Sequence, residues 1–89
     1  MEQSQDPGAV TDPVENAVVA ALRAILDVRE VGAEAPFAAL GGDSMRAVRV
    51  LSRLWRELGV ELPVDSLRTD TTVAEFVAVV REHAGARRT

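Results

Sequence analysis

Residues 44–58, "SMRAVRVLSRLWREL", constrain this chain more than any other stretch. At about 100° per residue, Ala47, Val48, Leu51, Leu54, Trp55 and Leu58 fall on one face of a helix. Arg46, Arg49, Arg53 and Arg56 fall on the opposite face. "GGD" stands before the stretch and Gly59 just beyond it, as a turn and a C-terminal stop. A helix this amphipathic must bury its apolar side against other elements. With 89 residues, those elements have to come from one small domain.

Two more helices have the required signals. "DPVE" places Asp12 at an N-cap, Pro13 at the first helical position and Glu15 at the capping-box position. Val14, Val18, Ala21, Leu22 and Ile25 then share a face, which predicts a helix from about Pro13 to about Asp27. Thr72 and Glu75 make a second capping box. Val73, Phe76, Val77, Val80 and Ala84 give the face of a last helix, with Gly85 as its predicted end. "VDSL" after Pro63 predicts a short helical turn that buries Leu67. No segment alternates as a strand does. The expected fold is all-α, a small four-helix bundle of three main helices and one short one.

The expected domain spans residues 12–85, with tails at 1–11 and 86–89. The connection 28–43, "VREVGAEAPFAALGGD", is long for so small a domain, and a connection of that length is usually functional or folded on itself. Val31, Phe37 and Leu40 would anchor it to the core.

Composition removes several classes of function. The chain has no cysteine and one histidine, His83, so thiol chemistry and a multi-histidine metal site are excluded. Aromatic residues make up 3%, which leaves the core to Val, Leu, Ile and Ala. A net charge of −4 argues against nucleic acid as the main partner. The charge is uneven: residues 1–43 hold eight acids and two arginines, and residues 44–89 hold six acids and eight arginines. No apolar run reaches membrane-spanning length and no signal-peptide pattern opens the chain, so a cytoplasmic, monomeric, complete small protein is the expectation.

"GGDS" at 41–44 has two readings. In one, two glycines turn the chain, Asp43 caps the helix for about 1 kcal/mol, and Ser44 is an ordinary first-turn residue. In the other, Ser44 is a site of chemistry. Its hydroxyl would lie at the end of the long connection, where a phosphate would meet the positive end of a helix dipole. The chain lacks the means to use Ser44 as its own nucleophile. Arg46 occupies the place of the second glycine of a G-x-S-x-G elbow, and His83, the sole candidate base, is far along the sequence. An accessible serine without activation suits modification by another enzyme.

At these residues the chain resembles the carrier-protein family, in particular the peptidyl carrier (thiolation) proteins of nonribosomal peptide synthesis. The similar features are Val31-Gly32, Phe37, Leu40-Gly41-Gly42, Ser44, Leu58-Gly59, Leu62-Pro63 and "TVAEF" at 72–76. The resemblance extends over about residues 12–84 and implies a free-standing carrier. Ser44 would be esterified with 4′-phosphopantetheine, taken from coenzyme A by a phosphopantetheinyl transferase. The arm's thiol would hold an aminoacyl or acyl group for an adenylation enzyme and for condensation or tailoring enzymes. The carrier itself would catalyse nothing.

Asp43 stands where many peptidyl carriers have histidine, and an acid there also resembles acyl carriers. An acyl or aryl carrier is therefore one alternative. An unmodified helical interaction module is another, and an autonomous hydrolase using Ser44 and His83 is a third. Asp43, Met45, Arg46, Arg49 and Phe37 are the candidate partner contacts, with Met45 an apolar contact beside Ser44. Phe37 and Val50 are candidates to flank the arm, and Trp55 reads as core. The arginine face reads either as solvated surface or as a recognition surface for acidic partners. Thr71 and Arg68 also depart from the family pattern, which has proline and a bulky apolar residue at those places.

Overall fold

The computed structural model describes residues 12–87, so the predicted tail at 1–11 and residues 88–89 lie outside the described residues. Three α-helices carry the fold: α1 (Pro13–Leu26), α2 (Ser44–Leu58) and α3 (Val73–Arg87). Two short 3-10 turns complete it, Phe37–Leu40 in the long connection and Val64–Ser66 after α2. The second takes the place of the predicted short helix. It spans a single turn because Pro63 precedes it and Leu67 leaves it in an extended conformation. No strand occurs among the described residues; one isolated bridge pairs Pro36 with Thr72.

The helix ends follow local chemistry. Asp12 accepts a hydrogen bond from the Val14 N–H at 2.9 Å, with Pro13 at the first helical position. α1 stops at Leu26, where Asp27 takes a left-handed conformation (φ 57°) that aspartate tolerates better than most residues. α2 ends as predicted at Gly59 (φ 68°), whose N–H donates to the Trp55 carbonyl at 2.8 Å. The Thr72–Glu75 box is complete: the Glu75 N–H donates to Thr72 Oγ1 at 3.2 Å, and the Thr72 N–H donates to Glu75 Oε1 at 3.0 Å. Gly85, in contrast, does not end α3, which continues to Arg87. Gly85 has no positive φ and no proline follows it, so it is carried as a helical residue at a propensity cost of about 1 kcal/mol.

The core is aliphatic apart from two phenylalanines. Val18, Ala21 and Leu22 of α1 meet Ala47, Val50, Leu51 and Leu54 of α2 and Val73, Phe76, Val77 and Val80 of α3. Phe37 and Leu67 close it from the connections, and no polar or charged side chain among the described residues is buried. Two α2 residues depart from the sequence reading. Val48 is 50% exposed and Trp55 57% exposed, so neither is core. The buried arc is centred near Leu54 and Ala47 and reaches round to Val50. Val48 and Trp55 point about 100° or more away from Leu54, beyond the rim. Truncating Trp55 to alanine should therefore cost about 1 kcal/mol or less, against about 3–5 kcal/mol for Phe76→Ala, as read by urea denaturation.

One charged contact joins the two ends of the fold. The second carboxylate oxygen of Asp12 is held by the Arg81 guanidinium of α3. The Val14 N–H first, and then Arg81, lower the Asp12 pKa from its ordinary 3.8. A depressed carboxylate contributes stability that is present above the unfolded pKa and is lost as pH falls through the folded one. Asp12→Asn keeps a good cap and removes the charge. The melting temperature of wild type should exceed that of Asp12→Asn near neutral pH, and the gap should close as pH falls below about 4.

Candidate functional site

The long connection is ordered by a second stretch of chain rather than by itself. Phe37 N–H donates to the Thr71 carbonyl and Ala38 N–H to the Thr69 carbonyl, both at 2.8 Å. In return Val73 N–H donates to the Ala35 carbonyl at 3.1 Å and Ala74 N–H to the Ala33 carbonyl at 2.9 Å. These bonds satisfy N–H groups in the first turns of the 3-10 segment and of α3, which have no partner inside their own helices. Thr71 closes the turn that makes this possible. Its N–H donates to the Arg68 carbonyl at 3.0 Å, and its Oγ1 accepts from the Arg68 N–H at 3.0 Å. A proline at 71 has no N–H and no hydroxyl to do this.

Phe37, thus positioned, is 1% exposed. Its ring explains the double glycine. A Cβ on Gly42 would lie 2.4 Å from the ring, so only glycine lets the backbone pass there. Gly41 turns the chain with φ 91°, and Gly42 N–H donates to the Phe37 carbonyl at 2.9 Å. The chain leaves this turn directly into Asp43, the N-cap of α2. Asp43 Oδ1 accepts from the Arg46 N–H at 2.9 Å, and its other oxygen pairs with the Arg46 guanidinium at 3.0 Å.

Ser44 is the first residue of α2 and is exposed. Met45 beside it is 73% exposed, a high value for an apolar side chain. Arg49 is also exposed. Of the candidate partner contacts, Asp43 and Met45 flank Ser44 on the surface, and Arg46 and Arg49 are exposed on the arginine face of α2, roughly 140–160° round the helix from Ser44. Phe37 is not exposed: it is core, and the reading of it as a partner contact is corrected. Val50, 0% exposed, is likewise core rather than a flank for an arm. Sequence proximity to Ser44 misplaces both, because it says nothing about which side of the turn a side chain enters.

Three exposed residues join this surface without a sequence reading that put them there: Val48, Trp55 and Val64, the last 75% exposed. A hollow of about 320 Å³ beside Ser44 is lined by Ala47, Val48, Val64 and Leu67 together with the polar Asp65, Arg68 and Thr69. The available signal was the i, i+4, i+11 spacing of Ser44, Val48 and Trp55, which puts all three in one line.

The Ser44 hydroxyl has no acid–base partner among the described residues. The His83 ring nitrogen lies 2.9 Å from the Val79 carbonyl of its own helix, and so is engaged there. This arrangement offers an accessible hydroxyl at a helix start, open enough to carry a large substituent, and nothing that activates it.

The phosphopantetheine attachment site family matches residues 16–80, which contain the double-glycine turn, all of α2 and Ser44 itself. The chain belongs to that family. Tyrocidine synthase 3 of Brevibacillus parabrevis is 43% identical over 60 residues, 67% of this chain and 1% of that protein. A linear gramicidin synthase of the same organism is 42% identical over 68 residues, 76% of this chain and again 1% of that protein. Surfactin synthase subunit 3 of Bacillus subtilis (strain 168) is 37% identical over 57 residues, 64% of this chain and 4% of that protein. The chain thus spans only a few per cent of the curated relatives it matches. No solved structure matches it. The family is defined by a covalently attached 4′-phosphopantetheine, and the residues present fit that group: an exposed serine at the first residue of a helix.

Two of the three glycines of the long connection, Gly32 and Gly42, have unequal surroundings. Gly42→Ala should lower stability by about 1–3 kcal/mol, because the Phe37 ring must move. Gly32→Ala, with nothing within 4 Å of its Cβ, should change it by about 0.5 kcal/mol or less. Chemical denaturation of the two variants side by side measures the difference.

Proposed function

We propose that this chain is a peptidyl-type carrier that receives 4′-phosphopantetheine on Ser44 and presents a thioester-bound aminoacyl or acyl group to other enzymes. The observation that carries this reading is the exposed, unpartnered hydroxyl at the first residue of α2, inside the matched family span. In the modification, Ser44 Oγ forms a bond to the phosphorus of the pantetheine arm and the phosphoanhydride bond of coenzyme A breaks. Adenosine 3′,5′-bisphosphate leaves, and the hydroxyl proton passes to a base of the phosphopantetheinyl transferase. The arm supplies a thiol on a long tether; Ser44 supplies its anchorage, and α2 supplies the surface around it.

The relatives named for tyrocidine, gramicidin and surfactin synthesis support nonribosomal peptide assembly as the setting. Adenylation, condensation or tailoring enzymes are then the partners. They would meet the chain, as a monomer in the cytoplasm, at Asp43 and Met45 beside Ser44 and at the exposed Arg46 and Arg49 of the same helix. No helix among the described residues is long and apolar enough to cross a membrane. His83, the sole histidine, is engaged with the Val79 carbonyl of its own helix, which favours the carrier reading over a hydrolase.

Intact mass after incubation with coenzyme A and a broad-specificity transferase tests the proposal. Wild type should gain one phosphopantetheinyl group. Ser44→Ala should gain none while keeping its helical circular dichroism. Absence of the gain in folded wild type would overturn the carrier reading and leave the helical interaction module in its place.

A further inference from the structure

Met45 is an apolar side chain that the fold leaves unused. It is 73% exposed, and it belongs neither to the core nor to the partly buried residues packed against it. It follows Ser44 directly in the first turn of α2. Its thioether is the one sulfur among the described residues, because the chain has no cysteine and its other methionine is Met1. A flexible, polarizable side chain of this kind suits an apolar contact with a partner. It is also the kind that peroxides oxidise.

We propose that Met45 is a reversible oxidation site, and that its sulfoxide withholds Ser44 from the phosphopantetheinyl transferase. The inference rests on the carrier reading of Ser44. In the oxidation, the Met45 sulfur attacks one oxygen of hydrogen peroxide. The S–O bond forms as the O–O bond breaks, the hydroxyl proton passes to the departing oxygen, and water leaves. Sulfur loses two electrons and the peroxide gains them. The consequence for Ser44 follows from proximity. Neighbouring Cα atoms lie about 3.8 Å apart, so an enzyme that brings phosphorus to the Ser44 oxygen also covers Met45. Covering the thioether removes apolar surface from water, which favours the encounter. Covering the sulfoxide instead takes a strong hydrogen-bond acceptor into a contact that suits an apolar group. A polar group left unpaired in this way weakens binding roughly five- to a hundredfold. The fold is indifferent to the change, because the side chain packs against no part of the core. The effect is therefore confined to recognition. A methionine sulfoxide reductase reverses it: the oxygen leaves as water, and a thiol reductant is oxidised to its disulfide.

The full chain is treated with hydrogen peroxide, catalase removes the excess, and peptide mapping verifies one added oxygen at Met45. Loading from coenzyme A by a broad-specificity transferase is then followed by intact mass. Oxidised wild type should keep its helical circular dichroism and its melting temperature, while kcat/KM for loading falls about tenfold or more. Reductases for both sulfoxide epimers should restore it. Met45→Leu has no sulfur at this position, so its own kcat/KM should be the same before and after peroxide. Any effect of oxidation at Met1 or Trp55 would show in that variant as well. Failure of untreated wild type to load overturns the carrier reading and this inference with it. Normal loading of untreated wild type, with an unchanged kcat/KM after full oxidation of Met45, overturns the inference alone. So does a loss equally large in peroxide-treated Met45→Leu, or one that persists once the sulfoxide has been reduced.

Discussion

The contact between the Phe37 ring and Gly42 is what the site depends on. The ring is buried in the bundle, and the backbone at 42 runs so close over it that a methyl group has no room. This fixes where the chain turns and therefore where α2 begins. Asp43 then caps the helix, and Ser44 becomes its first residue, facing outward. The serine is presented by packing beneath it, not by any bond to its hydroxyl. A reactive position on a loop gains precision when a rigid element holds it, and here the element is a phenylalanine in the core.

Phe37 is in turn held by chain that lies far away in sequence. Residues 33–38 exchange backbone hydrogen bonds with residues 69–74, in the turn that leads into α3. The arrangement resembles a fragment of sheet without a strand. It lets the long connection bury a large ring while its own peptide groups stay satisfied. Thr71 contributes both its N–H and its hydroxyl to the turn. The start of α2 and the start of α3 are thus positioned by one set of bonds, so the surface around Ser44 and the turn after α2 keep a constant relation.

α2 divides its circumference among three tasks. Ala47, Val50, Leu51 and Leu54 face the core. Arg46 and Arg53 are engaged by acids on their own helix or its cap, at 3.0 Å to Asp43 and 3.2 Å to Glu57. Exposed ion pairs of this kind add little stability, about 0.3–0.5 kcal/mol each. They neutralise part of the arginine face and leave Arg49 and Arg56 without an acid partner among the described residues. Between core and arginines runs the line from Ser44 to Trp55, apolar and open. A wide exposed apolar strip on a small domain is rare unless something covers it during function.

Most of the architecture was legible in the sequence because its signals are local. The caps at Asp12, Asp43 and Thr72, the stop at Gly59 and the 3.6-residue period of α2 depend on neighbours within one or two turns. Ser44 as the first residue of a helix follows from the same signals. The limits of that reading are equally physical. A helical period gives the direction of the apolar arc but not its edges, so Trp55 and Val48 read as core until the neighbouring helices showed where burial ends. Gly85 carries a stop signal that becomes effective only in a left-handed conformation, which the end of α3 does not adopt. That Phe37 lies inside rather than beside Ser44, and that Trp55 is left exposed on the rim of α2, were decided by the tertiary structure alone. Both depend on contacts between segments that local periodicity cannot relate, because sequence spacing does not determine which distant surfaces come to share a boundary.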